Sequence, residues 1–245
     1  MSDPELSATV AALADEEVPG GERKQLLRRL AGQVRRDGLG GLFRPKAIAR
    51  RLVDVVTEIA PHIPVRDLAT LRRHYPGLEG EALADRLVRN ASRATGGVGA
   101  AGGGIAAVEW AATPTLLSAP VLLAAETVAV VAIEVKLIAE LHEVYGEPVP
   151  GARMERAISL LQAWAGQRGV NPMVPGVGVA AVLSTAARKE LRDMLLRRFG
   201  RHLTTLGPLL TGAAVASYLN RRATQGLGKR VRDDLRRALP PASSA

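Results

Sequence analysis

Residues 116–141 read LLSAPVLLAAETVAVVAIEVKLIAEL, the most apolar stretch of this 245-residue chain. Beyond Pro120 the run is long enough for a helix of several turns, either buried in a protein core or in contact with a membrane. Glu126 and Glu134 interrupt it, and a carboxylate at bilayer depth costs about 2.5–3.5 kcal/mol. A buried core helix is therefore favoured, partial insertion at a membrane interface is the alternative, and a membrane span is the least favoured.

Two further stretches, residues 169–187 and 202–220, carry no charged residue. A membrane-spanning helix needs about 20 mostly apolar residues. Pro172 and Pro175 shorten the helical part of the first stretch, and Pro208 shortens that of the second. Both are predicted to form helices that are apolar enough to touch a membrane but too short to cross one.

Apolar residues elsewhere recur at helical spacing, and no alternating run predicts a strand. The main stripes are Leu26, Leu30 and Val34; Ile48, Leu52 and Val55; Leu83 and Leu87; Ala157, Leu161 and Trp164; and Leu227, Val231 and Leu235. The predicted fold class is all-α. We expect a single compact multi-helix domain with apolar, Gly/Ala-rich central helices and basic amphipathic outer helices.

Composition divides this domain into four segments along the chain. Residues 1–20 are acidic and predicted to be weakly ordered, and residues 21–95 are predicted to form basic amphipathic helices. Residues 96–239 are the predicted apolar helical core, and residues 240–245 are a frayed tail. The segment Tyr145–Gly151 holds two prolines and two glycines, which predicts a turn between helices.

Charge is segregated within a net charge of +9. Ten basic and two acidic residues lie between Glu22 and Arg51, and seven basic and two acidic ones between Arg221 and Arg237. This pattern indicates either solvated helix faces or attraction to an anionic membrane or polyanion, at about 1 kcal/mol per basic residue near lipid. The residues expected to face the anion are Arg28, Arg29, Arg35, Arg36, Arg50, Arg51, Arg221, Arg222, Lys229 and Arg230.

Composition also excludes several kinds of site. The chain has no cysteine, which excludes disulfides, iron–sulfur clusters and thiol catalysis. Its four histidines are scattered, so no metal site and no cofactor are predicted. Aromatic residues make up 3% of the chain, which leaves little to stack on bases, so specific nucleic-acid binding is not expected. The N-terminus lacks the pattern of a signal peptide, which predicts a cytoplasmic protein, free or peripheral at the inner face of the cell membrane.

Three acids are the candidate catalytic residues. Glu126 and Glu134 lie within about 80° of each other on one helix, and with Glu109 they would converge on a buried polar pocket. Pairing with arginine is the commoner explanation of buried acids, and protonation or a catalytic role are the others.

The glycine-rich stretch has two alternative interpretations. Gly97–Gly102 matches the GxGxxG pattern of dinucleotide sites, but the residues before it are predicted to be helical rather than a strand, so the match is compositional. Gly96, Gly99, Gly102 and Gly103 instead permit close helix–helix approach. A flexible hinge before the apolar region is the second interpretation.

Several short motifs follow one another in the C-terminal two thirds of the chain. They are the glycines from Gly96, the helix end at Tyr145 and Gly146, the segment from Pro208 to Gly212, and the pair Asn220 and Thr224. Over residues 80–238 this order resembles the EcsC family of bacterial proteins, although Leu-Leu-Thr-Gly replaces the family's usual Val-Gly at 209–212. The resemblance implies a setting beside an ABC transporter, membrane association and a link to secretion, and supplies no catalytic residue. Asn220 and Thr224 are independently predicted to cap or cross-link a tight helix junction by hydrogen bonds to backbone carbonyls.

Three functions are compatible with this sequence. The first is a non-enzymatic accessory protein that binds the cytoplasmic membrane face or a transport or secretion partner. The second is a soluble helical scaffold, oligomerising through its small-residue helices, and the third is an enzyme built around the buried acids. Association with an anionic membrane is the favoured hypothesis because segregated charge and nearly membrane-grade helices occur together.

Overall fold

The described part of the chain is helical throughout. This computed structural model describes residues 4–36, 54–112, 119–167 and 212–238. Their helices are α1 (Pro4–Leu13), α2 (Gly20–Arg36), a 3-10 turn (Ala60–His62), α3 (Leu68–His74), α4 (Gly80–Ala112), α5 (Ala119–Val144), α6 (Arg153–Gln167) and α7 (Gly212–Ala238). These ranges contain no strand and pack compactly, so the all-α prediction is confirmed.

Helix α5 is the centre of the bundle. Side chains from Val121 to Leu141 are buried, apart from the half-buried Leu123 and Glu126. Helices α1, α2, α4, α6 and α7 all contact it, which explains why its sequence is apolar on every side. The predicted core helix is confirmed. In the described ranges, none of the helices has the length and apolarity that a bilayer crossing needs.

Helices α4 and α7 form an antiparallel pair that glycines hold close together. A Cβ added to Gly99 would lie 2.7 Å from the backbone of Ala216, and one added to Gly228 would lie 2.7 Å from the side chain of Val88. At these two points only a residue without a side chain fits. Close helix approach is therefore the correct interpretation of the glycine-rich stretch. The hinge interpretation is wrong, because α4 runs unbroken from Gly80 to Ala112.

The N-terminal segment differs from the prediction of a weakly ordered region at residues 1–20. Leu6, Val10 and Leu13 of α1 are buried in the core, spaced to form one apolar stripe. The buried guanidinium of Arg23 in α2 donates to the Leu13 carbonyl at 3.0 Å and to two carbonyls just beyond α1. Arg23 thereby satisfies carbonyls that a helix end leaves without partners. A short acidic helix is stable here because tertiary contacts complete it.

The predicted segment boundary at residues 95–96 does not coincide with the end of an element. It falls within α4, whose first half buries Leu83 and Leu87 and whose second half holds the glycines. The end of the predicted basic segment and the start of the predicted apolar core are therefore two halves of one helix. Of the predicted core, residues 113–118, 168–211 and 239 lie outside the described residues, as does the predicted tail 240–245.

Two helices end shortly before a glycine with positive φ, and the second of these ends lies at the predicted Tyr145–Gly151 turn. Helix α3 stops at His74, and Gly77 after it has a φ of +79°. Helix α5 stops at Val144, and Gly146 has a φ of +75°, a conformation that glycine adopts without strain.

Candidate functional site

A fully buried carboxylate joins four helices at the centre of the bundle. Glu134 of α5 accepts hydrogen bonds from the Trp164 indole N–H of α6 at 2.8 Å and from the Thr224 hydroxyl of α7 at 2.7 Å. The Thr224 and Thr95 hydroxyls lie 2.9 Å apart, which extends the network to α4. All four side chains are buried. Because a buried carboxylate must keep its hydrogen bonds, these contacts fix the register of four helices at one level.

A second carboxylate of α5 lies two turns away. Glu126 is half-buried and accepts a hydrogen bond from the Asn220 side-chain amide at 2.9 Å. Its other oxygen would be 2.9 Å from a Cβ added to Gly102, so this glycine leaves room for the carboxylate. Asn220 and Thr224 are one turn apart on α7, and each contacts one acid of α5. The predicted cross-linking role is therefore observed, but carboxylates take the place of the expected backbone carbonyls.

The predicted pocket of three acids is not assembled by the described residues. Glu126 and Glu134 are about 12 Å apart along α5, and each has its own hydrogen-bond donors. The Glu109 side chain lies outside the described residues. Glu126 and Glu134 are separated by the rise of eight residues although their angles around the helix are similar, and convergence with Glu109 stays a prediction. Within the described ranges, no cluster of three or more acidic or histidine side chains is arranged to hold a metal ion.

The third carboxylate of α5, Glu140, is paired with an arginine. Arg66 donates to both of its carboxylate oxygens at 2.7 Å, and the same guanidinium contacts Glu16 at 3.2 Å. Tyr75 and Lys136 complete the cluster, since Tyr75 donates to Glu16 and the Lys136 ammonium lies 3.9 Å from Glu140. Arginine pairing was predicted for other acids of α5. Arg66 was not identified because 74 residues separate it from Glu140 and no short motif joins them.

Electrostatics in this cluster follow from burial. Burial raises the pKa of Glu16, and the charges of Lys136 and Arg66 offset that increase only in part. Burial lowers the pKa of Arg66, but its hydrogen bonds and attraction to Glu140 outweigh this and raise the pKa overall. The cluster is therefore held by a bidentate, charge-assisted pair, the strongest kind of hydrogen bond in the described core.

The charged end of the α4–α7 pair lies at the surface. Arg232 and Arg236 of α7 both bind Glu81, and Arg232 also binds Asp85. Tyr145 donates to Glu81 at 2.8 Å. Hydrogen bonds from Arg236 and Arg232 hold the pKa of Glu81 well below its usual range, although partial burial opposes them. Tyr145 of the predicted Tyr-Gly motif thus connects the end of α5 to the charged end of the α4–α7 pair.

One side of the α4–α7 pair presents cations to solvent. Arg221 lies beside α4, since its Cβ is 3.5 Å from the position of a Cβ on Gly96. Arg89 and Arg93 are exposed on the neighbouring side of α4, four residues apart. In the described structure none of these cations has a carboxylate within 4 Å. This surface, the α4/α7 basic face, consists of Arg89, Arg93, Arg221, Arg222 and Lys229.

The predicted anion-facing residues that the structure describes are all exposed. They are Arg28, Arg29, Arg35 and Arg36 of α2, and Arg221, Arg222, Lys229 and Arg230 of α7. Arg36 lies 3.8 Å from Glu5, an exposed pair that contributes little to stability. Arg50, Arg51 and Pro208 lie outside the described residues, and Gly212 is the first residue of α7. Arg89 and Arg93 were not predicted, although their spacing on one helix face was a usable signal.

Large apolar side chains are also exposed on α7. Val215, Tyr218 and Leu219 are 43%, 59% and 48% exposed, at a spacing that places them on one side of the helix. Met154 of α6 is the other large hydrophobic residue exposed in the described ranges. The uncharged stretch 202–220 predicts that the start of α7 is apolar, but it does not predict that Val215, Tyr218 and Leu219 face outward.

Comparisons with protein-family models, with curated proteins and with solved structures find no match to this chain. The resemblance to the EcsC family therefore stays a prediction. What can be inferred about function depends on the chain's own surfaces.

Proposed function

We propose that this protein is a non-enzymatic accessory protein that binds the anionic lipid surface at the cytoplasmic face of a membrane. The observation that carries the proposal is the α4/α7 basic face. Its cations are exposed, lie together on one side of a helix pair, and have no carboxylate within 4 Å in the described structure. Cations that stabilise a fold are normally paired, as Arg66 and Arg232 are, whereas cations of a binding surface stay available.

The expected strength of this binding is substantial. Each basic residue near an anionic leaflet contributes about 1 kcal/mol, so five together contribute about 5 kcal/mol before other terms. This attraction decays over about 10 Å at 0.1 M ionic strength, so binding should weaken steeply with salt. A surface-bound protein needs no membrane-spanning helix.

The alternative functions have less support from the geometry. An enzyme built around the acids of α5 is less favoured because Glu126, Glu134 and Glu140 each bind groups of neighbouring helices. Oligomerisation through small residues is less favoured because Gly99 already packs against Ala216, and Gly228 against Val88, within the same chain. A transport or secretion partner follows from the EcsC resemblance alone.

Co-sedimentation with lipid vesicles tests the proposal. We expect the protein to bind vesicles of phosphatidylcholine mixed with phosphatidylglycerol, to release at 0.5 M salt, and not to bind pure phosphatidylcholine. Replacing Arg221, Arg222 and Lys229 together by glutamine should weaken binding by at least tenfold. These side chains are exposed, so the variant should keep the stability of the wild type.

A matched control removes the same charge elsewhere. Arg72 and Arg73 of α3 and Arg153 of α6 are exposed on helices that pack against α5 rather than α4. Glutamine at these three positions should leave vesicle binding nearly unchanged. Equal loss in both triple variants would mean that net charge alone drives binding, and no binding by the wild type would reject the proposal.

A further inference from the structure

Between Gly212 and Arg232, the outward side of α7 combines apolar and basic residues without any acid. Val215, Tyr218 and Leu219 are all at least two fifths exposed, and they occupy positions i, i+3 and i+4. The next position of this stripe is Arg222, whose guanidinium lies 3.4 Å from the Tyr218 hydroxyl. The opposite side of the same turns is closed against α4, as the contact between Gly99 and Ala216 shows. Among the described residues, the apolar stripe therefore lies on the outer side of the helix.

The chemistry of this surface points to its partner. From Gly212 to Arg232 helix α7 has no acidic residue, so an anionic partner meets no like charge there. Helices that lie in a membrane interface present aromatic and aliphatic side chains beside arginine and lysine, as this one does. Tyrosine is enriched at the headgroup level, where its ring is buried and its hydroxyl stays hydrated. An anionic bilayer offers both an apolar layer and a negative surface.

We infer that Val215, Tyr218 and Leu219 insert into the interfacial layer of an anionic bilayer, so that α7 lies along the membrane with Arg222 and Lys229 against the headgroups. The inference rests on the proposed function and adds the residues that enter the lipid and the orientation of the bound protein. Charge attracts the protein to the surface, and the apolar stripe fixes which side of α7 faces it.

A single fluorescent label tests insertion directly. The chain has no cysteine, so Val215→Cys carries the only thiol and accepts one environment-sensitive nitrobenzoxadiazole label. Met154→Cys is the matched control, because Met154 is an equally exposed apolar residue on α6. With phosphatidylglycerol-containing vesicles we expect a several-fold rise and a blue shift in emission at position 215. The label at 154 should not respond, and a similar rise at both positions would overturn the inference.

Substitution of the stripe separates this inference from the proposed function. Tyr218→Gln combined with Leu219→Gln should weaken vesicle binding about tenfold while keeping its salt dependence, whereas Met154→Gln should have no effect. If the double variant binds like the wild type while the charge-neutralised variant does not, the inference is wrong and the proposed function stands. If the wild type itself binds no vesicles, both are wrong. Size-exclusion chromatography that gives a dimer, with the 215 label already shielded in the absence of lipid, would assign the stripe to a second copy of the chain.

Discussion

The two sides of helix α7 differ in what they contact. The inner side is held by specific contacts: Asn220 binds Glu126, Thr224 binds Glu134, and the backbone at Ala216 lies against Gly99. The outer side presents Tyr218 and Lys229 to solvent. Both sides belong to the part of α7 that carries the motif residues. The motif residues Asn220 and Thr224 therefore serve helix packing, whereas the side proposed to bind a membrane carries no motif.

The glycine contact should be the most sensitive point of the inner side. Gly99→Ala places a Cβ 2.7 Å from backbone atoms of Ala216, which cannot move without shifting α7. We expect a loss of about 2 kcal/mol in the free energy of unfolding, measured by urea denaturation. Gly104 lies on the same helix with nothing within 4 Å of its Cβ position. Gly104→Ala should therefore stabilise the protein, by about 0.5–1 kcal/mol, and a loss of equal size at both glycines would show that the close contact is not the cause.

The hydroxyl of Thr224 should have the next largest effect. Thr224→Val keeps the shape of the side chain but removes its hydrogen bonds with Glu134 and Thr95. Because both partners are buried, we expect a loss of about 1–2 kcal/mol in the free energy of unfolding. Ser159→Ala is the control, since that exposed hydroxyl bonds only within its own helix. It should change stability by less than about 0.5 kcal/mol. If the valine variant is as stable as the wild type, the buried network does not hold α7 in place.

Sequence alone predicted the inner side better than the outer. Helical spacing identified α5 as a core helix, and the need for close approach identified the glycines of α4, because both signals are local in the chain. The partnership of Asn220 with Glu126 spans 94 residues and that of Arg66 with Glu140 spans 74, so neither leaves a local pattern. The burial of α1 was missed for the same reason, since it depends on contacts with Arg23 of the next helix.

The exposure of the α7 stripe was also beyond sequence analysis. Val215, Tyr218 and Leu219 have the spacing of a buried face, and apolar residues at that spacing normally point inward. Asn220 and Thr224, which are polar, take the inner positions instead because α5 supplies carboxylates there. The first half of α7 thus reverses the usual pattern, whereas Leu227, Val231 and Leu235 of its second half are buried as expected. Only the partner helix reveals the reversal.

Acid pH should loosen the charged end of the inner side by a smaller amount. The pKa of Glu81 is lowered from its usual 4.5, first by its hydrogen bond with Arg236 and also by Arg232. Its contribution to stability is therefore present above pH 4.5 and is lost as the pH falls through the lowered value. We expect the free energy of unfolding to fall below pH 4.5 with a shallower slope in Glu81→Gln. The pKa of Glu16 is raised, so its effect has the opposite sign. The stability that protonated Glu16 contributes is present below pH 4.5 and is lost as the pH rises through the raised value. An unchanged acid slope in the Glu81 variant would show that the pairing of Glu81 with Arg232 and Arg236 does not contribute to the acid dependence of stability.

Substitutions on the outer side of α7 should change the free energy of unfolding least, while they still weaken vesicle binding. Lys229→Gln removes an exposed cation that has no carboxylate within 4 Å in the described structure, so urea unfolding should change by less than about 0.5 kcal/mol. Vesicle affinity should nevertheless fall about fivefold, because one charge near an anionic surface contributes about 1 kcal/mol. Lys229→Arg keeps the charge and should bind like the wild type. Arg237→Gln is the control within α7, since Arg237 pairs with Asp234 and does not belong to the α4/α7 basic face. If Arg237→Gln weakens vesicle binding as much as Lys229→Gln does, the two sides of α7 do not differ in function, and the division between a packing side and a binding side has to be abandoned.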